Sequence, residues 1–166
     1  MCPNTISLRP FRPEDQDRIL DVLTDNTVNR TYMLPDFATR EDAIPLFQRL
    51  MALSRDSKRY VRCIAAKERV IGFLNDVEIK DDKIELGYVI HPEVQGQGYM
   101  TQALKMAIAE LLASGYREVI CGAFSENTAS IRVMEKCGMT KLQQTDTIPY
   151  RGEDHICVYY AANKEN

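Results

Sequence analysis

The stretch "HPEVQGQGYMTQAL", residues 91–104, places two glycines, Gly96 and Gly98, between an apolar run and a segment with helical periodicity. Glycine adopts left-handed backbone angles and lets another group approach the main chain closely. A glycine turn that leads into a helix also presents unpaired N–H groups at the positive end of the helix dipole, which suits a phosphate. The stretch therefore predicts either a phosphate cradle or a simple strand-to-helix turn.

Periodicity on both sides of this turn divides the chain into strands and helices. Before the turn, the pattern predicts a strand over 5–10, a helix from Pro13, a second helix from near Thr39, and strands over 60–66, 69–79 and 83–91. After it, the pattern predicts a helix over 98–114, a strand over 118–124, a helix over 127–137, and strands over 140–148 and 154–161. This order favours an α+β or mixed α/β layered domain over a doubly wound sheet, and residues 1–166 are expected to form a single domain.

Composition limits the classes of partner. The net charge of -3 and the pI of about 5.5 argue against a nucleic-acid-binding domain. Neither a long apolar run nor a secretory signal pattern is present, so we expect a cytoplasmic protein without a membrane span. The cysteines Cys2, Cys63, Cys121, Cys137 and Cys157 are scattered without a CxxC pair, which predicts reduced thiols and no metal site.

Two familiar phosphate cradles do not match the glycine turn. The Walker pattern requires a lysine and a wider spacing between its glycines. The dinucleotide fingerprint requires a third glycine where Thr101 stands, and it opens the first βα unit of a domain. The turn is therefore of another kind.

Two blocks of sequence together resemble the GNAT acetyltransferase superfamily, and within it the branch of ribosomal-protein N-terminal acetyltransferases. The first block is "GYVIHPEVQGQGYMTQAL", residues 87–104, and the second is "ENTASIRVMEKCGM", residues 126–139. The family signature Q/R-x-x-G-x-G/A begins here at Gln95, and Met100 replaces its usual small last residue. The resemblance extends over nearly the whole chain.

This resemblance implies a GNAT fold: a central, twisted, mostly antiparallel sheet of about seven strands, with helices on both faces and a V-shaped splay between strands 4 and 5. It also implies acetyl-CoA as the acetyl donor and no metal. The pantetheine would pair with strand 4, and the pyrophosphate would lie on the glycine turn. The expected cofactor-binding residues are Val89, Ile90, Gln95, Gly96, Gln97, Gly98, Tyr99, Met100, Thr101, Asn127 and Ser130.

The reaction implied by the resemblance is N-acetyl transfer by direct attack of a primary amine in a ternary complex. The acceptor would be a protein N-terminal amine or a small amine. A base must take a proton from this amine, a backbone N–H near Val89 would stabilise the oxyanion, and an acid would protonate the departing thiolate. The resemblance does not choose the acceptor, and it is compatible with a monomer or a homodimer.

Glu85 is the candidate base and also a candidate acceptor-binding residue. Alternation along "KIELGYVI" places it on the same face as Gly87 and Val89. Some members of the branch carry a glutamate before the last strand, so an acid in the 149–155 loop, Glu153 or Asp154, is the alternative base.

Ser130 is the candidate acid, by its matching position in the branch, and Tyr99 or Tyr150 are alternatives. Tyr32 and Phe37 fall where the family builds its acceptor pocket. Two other functions remain open at this point: a non-catalytic acyl-CoA-binding regulatory module, and a nucleotide-binding protein. The first would bind acetyl-CoA without turnover, and the second would prefer ATP to CoA.

Overall fold

The structure, a computed structural model, describes residues 5–164 of the chain, so Cys2 lies outside the described residues. Over these residues the order and type of the predicted helices and strands are confirmed, with ends that differ by a few residues. The helices and strands are β1 Ile6–Arg9, α1 Gln16–Leu23, α2 Ile44–Leu53, β2 Val61–Ala66, β3 Arg69–Lys80, β4 Lys83–Ile90, α3 Tyr99–Ala113, β5 Glu118–Phe124, α4 Thr128–Lys136, β6 Thr140–Tyr150 and β7 Glu153–Asn163.

Helix α2 begins later than the sequence predicts because its first turn is a 3-10 helix, Arg40–Ala43. A capping box is present at this start: Asp42 accepts a hydrogen bond from the Thr39 N–H, at 3.1 Å. The capping residues thus mark where the helical segment starts, although the first four residues wind more tightly than an α-helix.

The strands form one seven-stranded sheet in the order β1-β2-β3-β4-β5-β7-β6. Strands β4 and β5 run parallel, whereas the pairs β1–β2, β2–β3, β5–β7 and β6–β7 run antiparallel. The β4–β5 register covers Lys83–Leu86 opposite Glu118–Cys121, while β4 itself continues to Ile90. This mixed, mostly antiparallel sheet, split between β4 and β5, confirms the predicted fold class.

The chain divides into two compact units, and the first comprises residues up to 75 together with 88–103. Its apolar core joins α1 and α2 to strands β2 and β3, and the rings of Phe47 and Phe73 meet that of Phe11 edge-on at 5.9–6.0 Å between centroids. The core consists of Phe11, Ile19, Leu20, Val22, Leu23, Val28, Leu34, Ala43, Phe47, Leu50, Val61, Cys63, Val70, Phe73 and Val89.

The second unit comprises residues 76–87 and those from 104 onward. Strand β5 pairs with β7 from Glu118 opposite Asn163 to Phe124 opposite Cys157, and β6 covers the other edge of β7. Three tight turns between consecutive strands use positive φ: Lys67 and Glu68 before β3, Asp81 before β4, and Arg151 and Gly152 before β7.

The cysteines of the described chain are free thiols: Cys63, Cys121 and Cys157 are buried, and Cys137 is half-buried. Within residues 5–164, every helix is too short or too polar to cross a bilayer.

The approach of β3 to β4 leaves no room for a side chain at Gly72. A Cβ at this position would lie 2.2 Å from the Val89 carbonyl oxygen, which is a backbone atom and cannot move aside. We expect Gly72→Ala to lower the free energy of unfolding by about 2–3 kcal/mol, as for an overpacked core, in urea denaturation.

Gly138→Ala is the matched control, because a Cβ there meets nothing within 4 Å and only its φ of +77° opposes the substitution. That backbone strain costs about 1 kcal/mol. Equal losses for the two variants would contradict the packing argument.

Candidate active site

The turn Gln95–Gly98 connects a short 3-10 helix, Pro92–Val94, to the first residue of α3. Gly96 and Gly98 have φ values of +78° and +83°, in the left-handed region that glycine adopts without strain. The turn is exposed, and a Cβ on either glycine would meet nothing within 4 Å. The turn therefore has both the backbone shape and the open space that a closely approaching ligand requires.

The N-terminus of α3 supplies donors at this turn. The first intrahelical bond runs from the Gln102 N–H to the Gly98 carbonyl oxygen at 3.1 Å, so the N–H groups of Tyr99 and Met100 precede it. The Met100 side chain is 6% exposed, which explains how a large residue is accommodated at the end of the signature. Because the Met100 side chain points into the core, its backbone N–H remains available at the start of α3. These N–H groups are of the kind that bind a pyrophosphate at a helix N-terminus.

Val89, Tyr32 and Phe37 all belong to the interior of the first unit. Val89 is part of the apolar core, and Tyr32 and Phe37 pack against that core. The Tyr32 hydroxyl donates to Asn75 Oδ1 at 2.6 Å, and its ring lies edge-on to that of Phe73. Burial raises the pKa of Tyr32, so its hydroxyl stays neutral. The acceptor role of Tyr32 and Phe37 stays a prediction.

In the second unit, Glu85 is a half-buried carboxyl group on β4 between the fully buried Ile84 and Leu86. Burial raises the pKa of Glu85, and the nearby carboxylates of Glu78 and Asp146 raise it further. A carboxyl group whose pKa is raised in this way binds a proton more strongly than an exposed glutamate does. The environment of Glu85 thus has the character of a general base.

Asp146 has a fixed position beside the β7 strand. It lies opposite Cys157 in the β6–β7 register, and the Tyr159 hydroxyl donates to Asp146 Oδ2 at 2.7 Å. The Tyr159 ring lies over Gly122 of β5, where a Cβ would be 2.8 Å from a ring carbon. Gly122 is therefore required for the ring to reach the position from which its hydroxyl holds Asp146.

Asn127 and Ser130 are neighbours at the start of α4. Asn127 is the N-cap, and its side-chain oxygen accepts a hydrogen bond from the Ser130 N–H at 3.2 Å. Helix capping therefore gives a structural reason for Asn127, whereas the bond uses only the backbone of Ser130 and gives no reason for its hydroxyl. Their roles toward a cofactor stay predictions.

The alternative base candidates lie at the tip of the β6–β7 hairpin. Asp154 is opposite Pro149, Glu153 is opposite Tyr150, and both acids are exposed. They lack the partial burial of Glu85.

His155 connects β7 to the loop before α4. Its Nδ1 lies 2.5 Å from Glu126 Oε1, and its ring stacks on that of Phe124 with 4.3 Å between centroids. The Glu126 carboxylate, whose pKa is lowered by this hydrogen bond, and the stacked ring fix the imidazole in place. This arrangement is that of a structural histidine.

Sequence reasoning missed Glu78, Asp146 and Tyr159. Each lies on a strand whose register decides what its side chain meets, and none belongs to a motif. The glycine in "EVICGAF" was the available signal, because a glycine inside a strand marks a close approach. Its partner, Tyr159, is identified only by the β5–β7 register. Among residues 5–164, no group of three or more His, Cys, Asp or Glu side chains is arranged to hold a metal ion.

The sequence model of the acetyltransferase (GNAT) domain family matches residues 5–140, which is most of the chain and includes the glycine turn, Glu85 and Ser130. The chain belongs to the GNAT acetyltransferase family. Members of this family transfer acetyl groups from acetyl-CoA, so this GNAT protein is an acetyl-CoA-dependent acyltransferase. This identification favours an enzyme over the regulatory module and over the nucleotide-binding protein.

Individual relatives agree with the family assignment. The protein is 28% identical over 141 residues to the uncharacterized N-acetyltransferase YoaA of Bacillus subtilis (strain 168), covering 81% of this chain and 78% of that protein. Its fold is similar to that of the ribosomal-protein alpha-N-acetyltransferase RimL in complex with coenzyme A, with a TM-score of 0.84, 20% identity, and coverage of 96% of this chain and 94% of that chain.

A spermidine N-acetyltransferase from Vibrio cholerae, solved with CoA and spermine, also has a similar fold. The TM-score is 0.80 at 14% identity, and the match covers 96% of both chains. At these identities the two solved structures show the fold alone, and they do not decide between acceptors.

The glycine turn gives a direct test of cofactor binding. Gly98→Glu adds a carboxylate to the open space in front of the α3 N-terminus, where it would repel a pyrophosphate and occupy its place. We expect acetyl-CoA binding to weaken by at least about 100-fold in calorimetric titration, which corresponds to the loss of a few kcal/mol.

Gly115→Glu is the matched control, since Gly115 also has positive φ and open space but follows the end of α3. Like Gly98→Glu, it places a charged side chain at a position of positive φ, but it should keep the affinity of the native protein. Unchanged affinity in Gly98→Glu would contradict the assignment of this turn to the pyrophosphate.

Proposed function

We propose that this protein transfers the acetyl group of acetyl-CoA to a primary amine by direct attack in a ternary complex, with Glu85 as the general base. The acceptor is a protein N-terminal amine or a small amine. The observation that carries this proposal is the half-buried carboxyl of Glu85, whose pKa is raised by burial and by two neighbouring carboxylates.

The carboxylates beside Glu85 suit a cationic acceptor. An α-amine has a pKa of about 8 and a lysine-type amine of about 10.4, so the acceptor arrives as an ammonium ion. Glu78 and Asp146 attract that cation, and the raised pKa of Glu85 makes its carboxylate a better proton acceptor. The Tyr159 hydroxyl, which stays protonated because burial raises its pKa, keeps Asp146 oriented.

Ser130 is the proposed acid, with Oγ as the atom that supplies the proton to the departing sulfur. Asn127 supports this role by capping the turn on which Ser130 lies. The backbone of Val89 is the proposed source of the N–H that stabilises the oxyanion.

Acetyl-CoA, when bound, supplies the activated acyl carbon. We assign its pyrophosphate to the backbone N–H groups from Gln95 to Met100, supported by the shape and exposure of the turn. Val89 and Ile90 are the proposed partners of the pantetheine, and Thr101 is a further contact in the first turn of α3.

Three broader properties stay predictions. We propose that residues 1–166 act as a single acetyltransferase domain, in the cytoplasm, as a monomer or a homodimer. The free thiols of the described chain are compatible with a reducing compartment.

Glu85→Gln tests the base directly. We expect kcat/KM to fall by about 100-fold, because a positioned base contributes about that factor or more. In the native protein kcat/KM should rise as the pH passes upward through the raised pKa of Glu85, and this acid limb should vanish in the variant.

Asp146→Asn is the control for that profile. It removes one of the charges that raise the pKa of Glu85, so the acid limb should move to lower pH, while kcat at high pH and saturating acceptor changes little. Near-native rates for Glu85→Gln across the whole pH range would show that Glu85 is not the general base.

Glu85→Gln also has an expected effect on stability, independent of turnover. Because the folded-state pKa is raised, the ionised carboxylate destabilises the fold at high pH, and this cost disappears below the unfolded-state pKa of about 4.3. The Tm of the variant should therefore exceed that of the native protein near neutral pH, and the difference should close in acid. A lower Tm for Glu85→Gln near neutral pH would show that the ionised carboxylate of Glu85 stabilises the fold.

The acceptor class is tested with a panel of amines analysed by mass spectrometry. The panel contains a peptide with a free α-amine, the same peptide with a blocked N-terminus and an internal lysine, and spermine. We expect one class to gain an acetyl group in an amide bond that resists neutral hydroxylamine. A product that hydroxylamine cleaves would be an ester or thioester and would contradict N-acetylation.

A further inference from the structure

Glu93 lies in the 3-10 helix Pro92–Val94, two residues before the glycine turn begins. Its Oε1 lies 2.8 Å from Arg18 Nη2 and 2.9 Å from Arg69 Nη2. Arg18 comes from α1 and Arg69 from the first residue of β3, and all three residues belong to the first unit. One carboxylate therefore ties the segment before the turn to two other parts of the same unit.

Arg18 is itself anchored. Its Nε donates to the Val70 carbonyl oxygen at 3.0 Å, and its side chain is only 22% exposed. Its Nη2 is buried and lies 2.8 Å from the Glu93 carboxylate, so the two side chains form a close ion pair. Removing Glu93 would leave this partly buried cation without its anion, which is unfavourable.

The backbone on either side of Glu93 is also held. The Glu93 N–H donates to His91 Nδ1 at 3.2 Å, and the His91 N–H donates to the Ile71 carbonyl oxygen at 2.6 Å. The segment leading into the glycine turn is thus fixed to β3 through its backbone and to α1 and β3 through the Glu93 side chain.

The charge of Glu93 makes its position unexpected for a phosphate site. The guanidinium of Arg18 lowers the pKa of Glu93, and Arg69 acts in the same direction, so the side chain is an anion close in sequence to a turn that should receive an anion. By charge alone it would weaken cofactor binding. Glu93 nevertheless favours cofactor binding if the position that it gives the turn strengthens binding by more than its negative charge weakens it.

We propose that Glu93, bridging Arg18 and Arg69, is a positioning residue that holds the Gln95–Gly98 turn in the shape that receives the CoA pyrophosphate. This inference rests on the proposed cofactor role of the turn. The bridge acts before the ligand arrives, because its contacts are made within the protein. The two arginines outnumber the carboxylate, so the cluster keeps a net positive charge beside the turn.

The direction of one affinity change tests the proposal. Glu93→Ala removes a negative charge, so a purely electrostatic role predicts tighter acetyl-CoA binding, whereas a positioning role predicts weaker binding. We expect about tenfold weaker binding in calorimetric titration, the scale of losing two partly exposed ion pairs. Glu93→Gln, whose amide oxygen can still accept from one arginine, should recover part of the affinity. Equal or tighter binding in Glu93→Ala would overturn the proposal.

Hydrogen exchange of the protein without ligand supplies the second readout. In Glu93→Ala, amides of residues 95–100 should exchange faster, while those of the α1–α2 core should keep their native rates. Glu41→Ala, which truncates an exposed glutamate of the Arg40–Ala43 turn, is the matched control and should change neither readout. Unchanged exchange in residues 95–100 would overturn the positioning role even if the variant proved less stable.

The outcomes separate this inference from the proposed function. If the native protein does not bind acetyl-CoA, the cofactor role of the turn fails, and with it the purpose assigned to Glu93. If the native protein binds and Glu93→Ala binds equally well, only the positioning role fails.

Discussion

The site depends on one backbone constraint: the chain must leave β4, reverse at Gly96 and Gly98 with positive φ, and enter α3 with its first N–H groups accessible. A side chain with a Cβ would strain both reversals, even though no neighbouring atom stands in its way. The glycines are therefore needed for conformation, and the open space in front of them is available to a ligand. Every assignment of the cofactor starts from this turn.

The charges of the two units suit different ligands. In the first unit, the cluster of Arg18, Arg69 and Glu93 adjoins the turn assigned to an anion and is positive overall. In the second unit, burial and the carboxylates of Glu78 and Asp146 raise the pKa of Glu85, at the position assigned to an amine. An acetyltransferase needs both kinds of environment, since its donor is a polyanion and its acceptor a cation. The net charge of the whole chain, -3, does not reveal this difference between the charged clusters of the two units.

Local patterns predicted the helices, the strands and the glycine turn because those features depend on residues close together in the chain. The 3.6-residue period of α3, the capping pair Thr39 and Asp42, and the glycines of the turn each act within a few residues. The family resemblance then supplied a mostly antiparallel sheet with a splay between strands 4 and 5. Glu85 was accessible to local reasoning too, since strand alternation indicated it.

The remaining parts of the site depend on register and on contacts between distant segments. Asp146 reaches its position only when β6 is paired with β7 so that it lies opposite Cys157, and Gly122 is explained only once Tyr159 is known to lie over it. Glu93 reads in sequence as an ordinary polar residue of a loop, because its partners are 75 and 24 positions away, at Arg18 and Arg69. Such pairings follow from the packed structure, which no local pattern encodes.

The most direct measurement is a calorimetric titration of the purified protein with acetyl-CoA, with ATP as the control. Both ligands carry phosphates, but only acetyl-CoA has the pantetheine arm that β4 is proposed to receive. The account predicts acetyl-CoA binding in the roughly micromolar range, typical of enzyme substrates, and no ATP binding. Absence of acetyl-CoA binding, or tighter binding of ATP, would contradict the assignment of the turn between β4 and α3 as the cofactor site.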